Sequence, residues 1–208
     1  MLDALSLAVA YPSAALVDAW RSGDFLGVVE GAVSQMDPEG QLHPAYAELV
    51  AGLAGYLSAT PRLEDIEADY VALFEFNRER PPVHLLQHLH DRQTQTTQLE
   101  LYRQLAERYR SCGITLKQGA GTVPPDQLSV QLEFLAYLFR CLARVSAEDR
   151  AAETRRTVLI DTVRMLHWVD GPIECLAQSD RQHPLYLPLL RFVRHALDVC
   201  GTTVDDVD

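Results

Sequence analysis

DQLSVQLEFLAYLFRCLARV, residues 126–145, is apolar almost all the way round a helix. Leu128, Leu132, Leu135, Leu138 and Leu142 recur at helical spacing. Val130, Phe134 and Phe139 fill the gaps between them. A helix with so little polar surface has to be buried on several sides, so the stretch predicts a central helix wrapped by others. Glu133 breaks the pattern. A carboxylate in such surroundings must be paired, hydrogen-bonded or placed at an opening that serves binding.

The segments on either side read as helix too. In 60–76, TPRLEDIEADYVALFEF, Thr60 is the expected N-cap and Pro61 the first helical residue. Leu63, Ile66, Tyr70, Leu73 and Phe74 form its apolar stripe. The acids Glu64, Asp65, Glu67 and Asp69 lie mostly off the stripe. Over 95–113, Leu99, Tyr102, Leu105, Tyr109 and Cys112 share one period, with Gly113 as a stop. Residues 146–172 open on Ser146 and Asp149 in a capping-box-like arrangement and close at Gly171-Pro172. A last helix starts near Pro184 and runs through Leu189, Leu190, Val193, Leu197 and Cys200 to Gly201. Weaker helices are expected around 2–10, 13–35 and 42–58, broken at 11–13 (YPS) and 36–40 (MDPEG). No strand-like alternation and no repeat stands out. The irregular stretches are 77–83 (NRERPPV) and 113–127 (GITLKQGAGTVPPDQ). The expected architecture is all-α: one single-domain helical bundle over residues 1–208 with a buried central helix, and a frayed acidic tail at 201–208.

Composition narrows the function. The 208 residues are 48% apolar, enough for a packed core. Twenty-nine acidic against 18 basic residues leave a net charge of −11, which argues against a nucleic-acid binder and suits a basic partner or plain solubility. The four cysteines, Cys112, Cys141, Cys175 and Cys200, form no CxxC pair. The N-terminus has no basic leader, and no apolar run reaches the ~18 residues needed to span a bilayer. Together these predict a soluble cytoplasmic protein with reduced thiols and no stable membrane insertion.

Candidate chemistry is sparse. Three of the seven histidines, His84, His88 and His90, fall within VHLLQHLHDR at 83–92. On a helix His84 and His88 would be offset by about 40° and able to share a metal, with His90 on another face. HxxxH without a following Glu is a weak zinc signal, and structural histidines outweigh it. No GxSxG is present, Cys112 has no evident base, and GAGT at 119–122 lacks the context of a phosphate loop. No cofactor motif is found. The stripe Tyr70, Phe74, Phe76 reads as core, with Glu75 pointing out beside a hydrophobic rim. An apolar groove with carboxylates at its lip would suit a peptide carrying arginines next to an apolar run.

Taken in order, several motifs resemble the TorD/DmsD/NarJ family of molybdoenzyme-specific assembly chaperones. They are AYP at 10–12, YVALFEF at 70–76, QHLH at 87–90, YRSCGITL at 109–116, PPDQLSVQLEFLAYL at 124–138, HW at 167–168 and HPLYLPLLRFV at 183–193. The likeness spans roughly residues 5–200 and is nearest the nitrate reductase delta-subunit branch. Gln87 stands where that branch has Glu, Asp91 where it has Gly, and only Arg92 remains of a following Arg-Gly. In the second block Asp126 carries over, whereas Val123 and Gln127 replace an acid and a His. Glu133 and Phe134 match. His84 has no counterpart.

The resemblance implies a cytoplasmic, client-specific chaperone that is not an enzyme. It would bind the N-terminal or twin-arginine leader region of a molybdoenzyme catalytic subunit and hold it for cofactor insertion. Client-binding candidates are Tyr70, Phe74, Glu75, His88, His90, Asp91, Arg92, Asp126, Glu133 and Phe134. A homodimer is left open. Two rivals stand beside this: a metal-dependent enzyme built on His84 and His88, and a generic helical adaptor.

Overall fold

A computed structural model describes residues 1–37, 39–76, 78, 82–90, 96–116, 122–144, 150–178 and 182–205. Among these residues the protein is all-α, and its only β pairing is an isolated antiparallel bridge between Leu86 and Gln127. One continuous hydrophobic core runs from Leu2 to Cys200.

The N-terminal third holds α1 (Leu2–Ala8), α2 (Ala14–Ser22), α3 (Asp24–Met36) and α4 (His43–Ser58). Ser13 caps α2, its hydroxyl accepting the Leu16 N–H at 3.3 Å. The single helix expected over 13–35 is two. Gly23 adopts φ +84°, a left-handed conformation cheap only without a Cβ, and the chain turns there. Next, α5 spans Leu63–Tyr70, two residues later than Thr60–Pro61 implied. Thr60 is itself left-handed (φ 49°) and belongs to the turn leaving α4. The first turn of α5 is instead tied by Asp65, whose carboxylate accepts the Arg62 N–H at 2.8 Å. Beyond Tyr70 the helix widens into a π turn over Val71–Glu75.

After α6 (Gln87–His90) comes α7 (Gln98–Ser111), capped by Thr97 and stopped at Gly113 as expected. Its inner face is Leu101, Leu105, Tyr109 and Cys112. Leu99 is 81% exposed, because it points about 200° away from Leu101. The central helix, α8 (Leu128–Leu142), packs between α1 and α9 (Arg150–Met165). Of the capping pair expected for α9, Ser146 and Asp149 lie outside the described residues.

Gly171-Pro172 does not end this region. A tight turn at Leu166–Val169 leads directly into α10 (Asp170–Ala177), and Pro172 sits in its first turn, where a backbone N–H has no intrahelical partner to lose. The last helix, α11 (Tyr186–Asp205), continues past Gly201, and residues 206–208 lie outside the described residues. It shares the centre with α8: Tyr186, Phe192, Val193, Ala196 and Cys200 are essentially fully buried, and α11 packs on α4, α9 and α10. No helix among the described residues is long and apolar enough to cross a membrane. All four cysteines are free; burial raises the Cys112 thiol and pushes that of Cys200 up to about 12, which leaves neither a ready nucleophile.

Candidate functional site

The chain at 82–90 is extended up to α6 and is pinned to the residues leading into α8. Leu128 N–H donates to the Leu85 carbonyl at 3.0 Å, and Gln87 N–H donates to the Asp126 carbonyl at 3.1 Å. On the other side, Val83 N–H donates to the carbonyl of Leu73 in the π turn at 2.7 Å. Asp126 locks this junction. It is 0% exposed, and one carboxylate oxygen accepts both the His88 backbone N–H at 3.1 Å and His88 Nδ1–H at 2.6 Å. The pattern places the proton on Nδ1. The His88 ring meets Tyr102 edge-on at 6.2 Å. Desolvation raises the Tyr102 phenol, Gln98 opposes the rise through a hydrogen bond, and the Asp126 carboxylate adds to it.

The other two histidines do not extend this pair into a cluster. His84 precedes α6, so the shared helical face supposed for His84 and His88 does not exist. His90 turns back and bonds the His84 carbonyl through Nε2 at 2.7 Å. Its ring stacks on Trp168 (6.0 Å between centroids, 14° between planes) and fills the space where Gly171 lacks a side chain. A Cβ on Gly171 would lie 2.7 Å from His90 Nδ1. Among the described residues, no three His, Cys, Asp or Glu groups converge as metal ligands.

Beneath α6, Gln87 carries a polar chain through the core. Gln131 Nε2 donates to Gln87 Oε1 at 2.6 Å, and Trp168 Nε1 donates to Gln131 Oε1 at 2.9 Å. Gln87 is 1% exposed and Gln131 0%. A neutral amide suits this buried position, where an ionised side chain would need a counter-charge.

The π turn and the 82–86 segment enclose a groove of about 270 Å³. Its floor is Tyr70 and Phe74, both buried, with ring centroids 5.0 Å apart. His84, Leu86 and Pro124 form the walls, and Glu75 stands exposed at the rim. The π turn sets this division: its register swings Phe74 inward and leaves Glu75 facing out. Phe76, expected in the core stripe, is 63% exposed beside Glu75. Tyr11, noticed in the sequence only as part of AYP, is 48% exposed and edge-on to Tyr70 at 5.6 Å. Desolvation, followed by the negative charges of Glu67 and Glu75, raises its phenol pKa. The mouth is therefore aromatic and electronegative. Neither Glu67 nor Glu75 has an ion-pair partner among the described residues.

Behind the floor, Phe74 meets Tyr186 edge-on at 5.1 Å, and Tyr186 lies 4.9 Å from the His183 ring. His183 Nδ1 accepts the N–H groups of Leu185 and Tyr186 at 3.2 and 3.3 Å and so caps α11. Its Nε2–H faces Asp69 at 3.4 Å, and Asp69 also accepts the Tyr56 hydroxyl at 2.7 Å. Burial lowers the His183 pKa, with Asp69 opposing. Protonation would also cost both cap bonds. As pH falls below the unfolded value of about 6.5, the unfolded chain takes up the proton first, so stability is lost on acidification. The urea midpoint should drop between about pH 7.5 and 5.5, and His183→Gln should flatten that slope. An equal slope in the variant would remove the assignment.

Glu133 and Phe134 belong to a different depression, of about 200 Å³, lined also by Tyr109, Ile114, Leu116 and Val130. Glu133 is exposed at its edge, which resolves the carboxylate that looked misplaced: it lies on the one face of α8 that reaches solvent. Asp126 is 0% exposed, with one oxygen on His88 and the other buried without a hydrogen-bond partner among the described residues, so it shapes the site through the backbone it holds. Asp91 and Arg92 lie outside the described residues.

A family model described as nitrate reductase delta subunit matches residues 39–171, well over half of the chain. The chain belongs to the nitrate reductase delta subunit family. That family comprises assembly chaperones for molybdoenzymes rather than catalysts. Comparison with curated proteins and with solved structures gave no significant match. The delta-subunit match covers α4 to the start of α10, and with them the His88–Asp126 junction and most of both depressions. Tyr11 and the α11 residues behind the groove fall outside it.

Proposed function

We propose that this delta-subunit-family protein is a cytoplasmic, client-specific chaperone without catalysis of its own. It binds the N-terminal or twin-arginine leader region of a molybdoenzyme catalytic subunit and keeps that subunit available for cofactor insertion. The observation that carries this is the groove over Tyr70 and Phe74, an apolar floor with Glu75 exposed at its rim and without an ion-pair partner among the described residues. Apolar side chains of a leader fill the floor, and its guanidinium groups meet the carboxylates by charge-assisted hydrogen bonds. Release follows when the folded client withdraws the segment, because affinity then differs between the two client states.

The test is a calorimetric titration with the N-terminal peptide of any molybdoenzyme catalytic subunit encoded beside this gene. An Arg→Gln peptide is the control. Each exposed ion pair contributes only ~0.2–1 kcal/mol, so binding should weaken with salt yet survive it, apolar burial supplying the rest. Equal affinity for the Arg→Gln peptide would remove the rim carboxylates from the proposal. No binding of the authentic peptide at any salt concentration would end it.

A further inference from the structure

The two depressions are neighbours across a single turn. Pro124 walls the Tyr70–Phe74 groove, and the next residue, Pro125, accepts a 2.8 Å hydrogen bond from the hydroxyl of Tyr109, which lines the depression at Glu133. Val123, at the start of the turn, is an apolar side chain left 56% exposed. The second depression has a rigid floor: the Tyr109 and Phe134 rings lie 4.4 Å apart, and Tyr137, at its edge, donates its hydroxyl to the Cys112 carbonyl at 2.9 Å. Its walls, Ile114, Leu116 and Val130, are half-buried aliphatic side chains. Two charges stand at its edge. Arg140 is ion-paired with Asp3 of α1 and feels the charge of Glu133, which itself makes no hydrogen bond or ion pair among the described residues. Groove, exposed Val123 and second groove thus form one apolar track with a carboxylate at each end that makes no ion pair among the described residues, Glu133 lying within the field of Arg140.

Resting on the function proposed above, we infer that the same client segment crosses the Pro124–Pro125 turn and occupies both grooves. The groove at Tyr109, Phe134 and Leu116 is a second subsite. It takes aliphatic side chains of the segment, with Glu133 receiving a second cationic group. Specificity then depends on the spacing between the arginine-bearing part and the apolar part of the leader, as in other bipartite sites.

The experiment titrates the full leader peptide, and a truncated peptide keeping only its arginine-bearing half, into wild type, Leu116→Asp and Glu133→Lys. Far-ultraviolet circular dichroism and melting confirm folding; Glu133 is exposed, so its variant reports even if Leu116→Asp fails to fold. The full peptide should lose about tenfold or more in affinity for Leu116→Asp and about two- to fivefold for Glu133→Lys. The truncated peptide should bind more weakly and be indifferent to both changes. If the full peptide binds wild type and folded variants equally, the second subsite is wrong while the first groove stands. Failure of every peptide on wild type instead removes the function proposed above, and this inference with it. Altered sedimentation with unchanged peptide affinity would make the second groove a self-association face and overturn the inference.

Discussion

Asp126→Ala should destabilise the protein by about 3 kcal/mol, read as a lower urea midpoint at unchanged slope. The carboxylate is fully buried and holds both the backbone N–H and the ring of His88. Removing it strands two part-buried donors of His88, each costing up to about 1–3 kcal/mol when unsatisfied. Asp126→Asn keeps one oxygen where a single carboxylate oxygen accepts both, so it should recover at least about half of the loss, the missing charge accounting for the remainder. The same change should weaken leader binding even in folded protein, because the 82–86 wall of the groove is positioned through this junction. A loss below about 1 kcal/mol for the alanine variant would mean that the junction holds without the carboxylate.

Gly52→Ala should cost about as much for an unrelated reason. Gly52 lies where α4 crosses the start of α11. A Cβ there would sit 2.3 Å from the Pro184 carbonyl oxygen and 2.9 Å from Pro188 Cγ. Both obstacles are stiff, a backbone carbonyl and a proline ring, so the helices themselves must separate. Overpacking of this kind costs about 1–3 kcal/mol and occasionally more. Gly55, one turn on and exposed, has nothing within 4 Å of its would-be Cβ. Gly55→Ala should therefore stabilise by about 0.5–1 kcal/mol through helix propensity. Thermal melting of the two variants side by side checks the pair, and a neutral Gly52→Ala would show that the α4–α11 approach is not tight.

The histidine stretch shows how far local reading reaches. Spacing places His84, His88 and His90 correctly in the chain but assumes a helix through all three. The helix begins only at Gln87, because the residues before it pair with Leu73 on one side and with the chain entering α8 on the other. Those partners are distant in sequence and leave no local mark. Leu99 fails similarly: it fits the helical period of α7, yet its side of the helix is open, leaving it 81% exposed. Gly23 carried its signal openly, since a glycine inside an amphipathic run is a potential break.

By itself the sequence determined the all-α class, the burial of α8, the stop of α7 at Gly113, the breaks at 11–13 and 36–40, and the order of motifs that resembles its family. These depend on period, propensity and backbone conformation, which act over a few residues. Tertiary structure alone decided that Tyr70, Phe74 and Glu75 line one groove while Glu133 and Phe134 line another. It also decided that Asp126 serves His88, that His90 packs between Trp168 and Gly171, and that Tyr11 joins an acidic mouth. Each of these depends on which face of one helix meets a segment tens of residues away, and side-chain contact across that separation has no local periodicity to betray it.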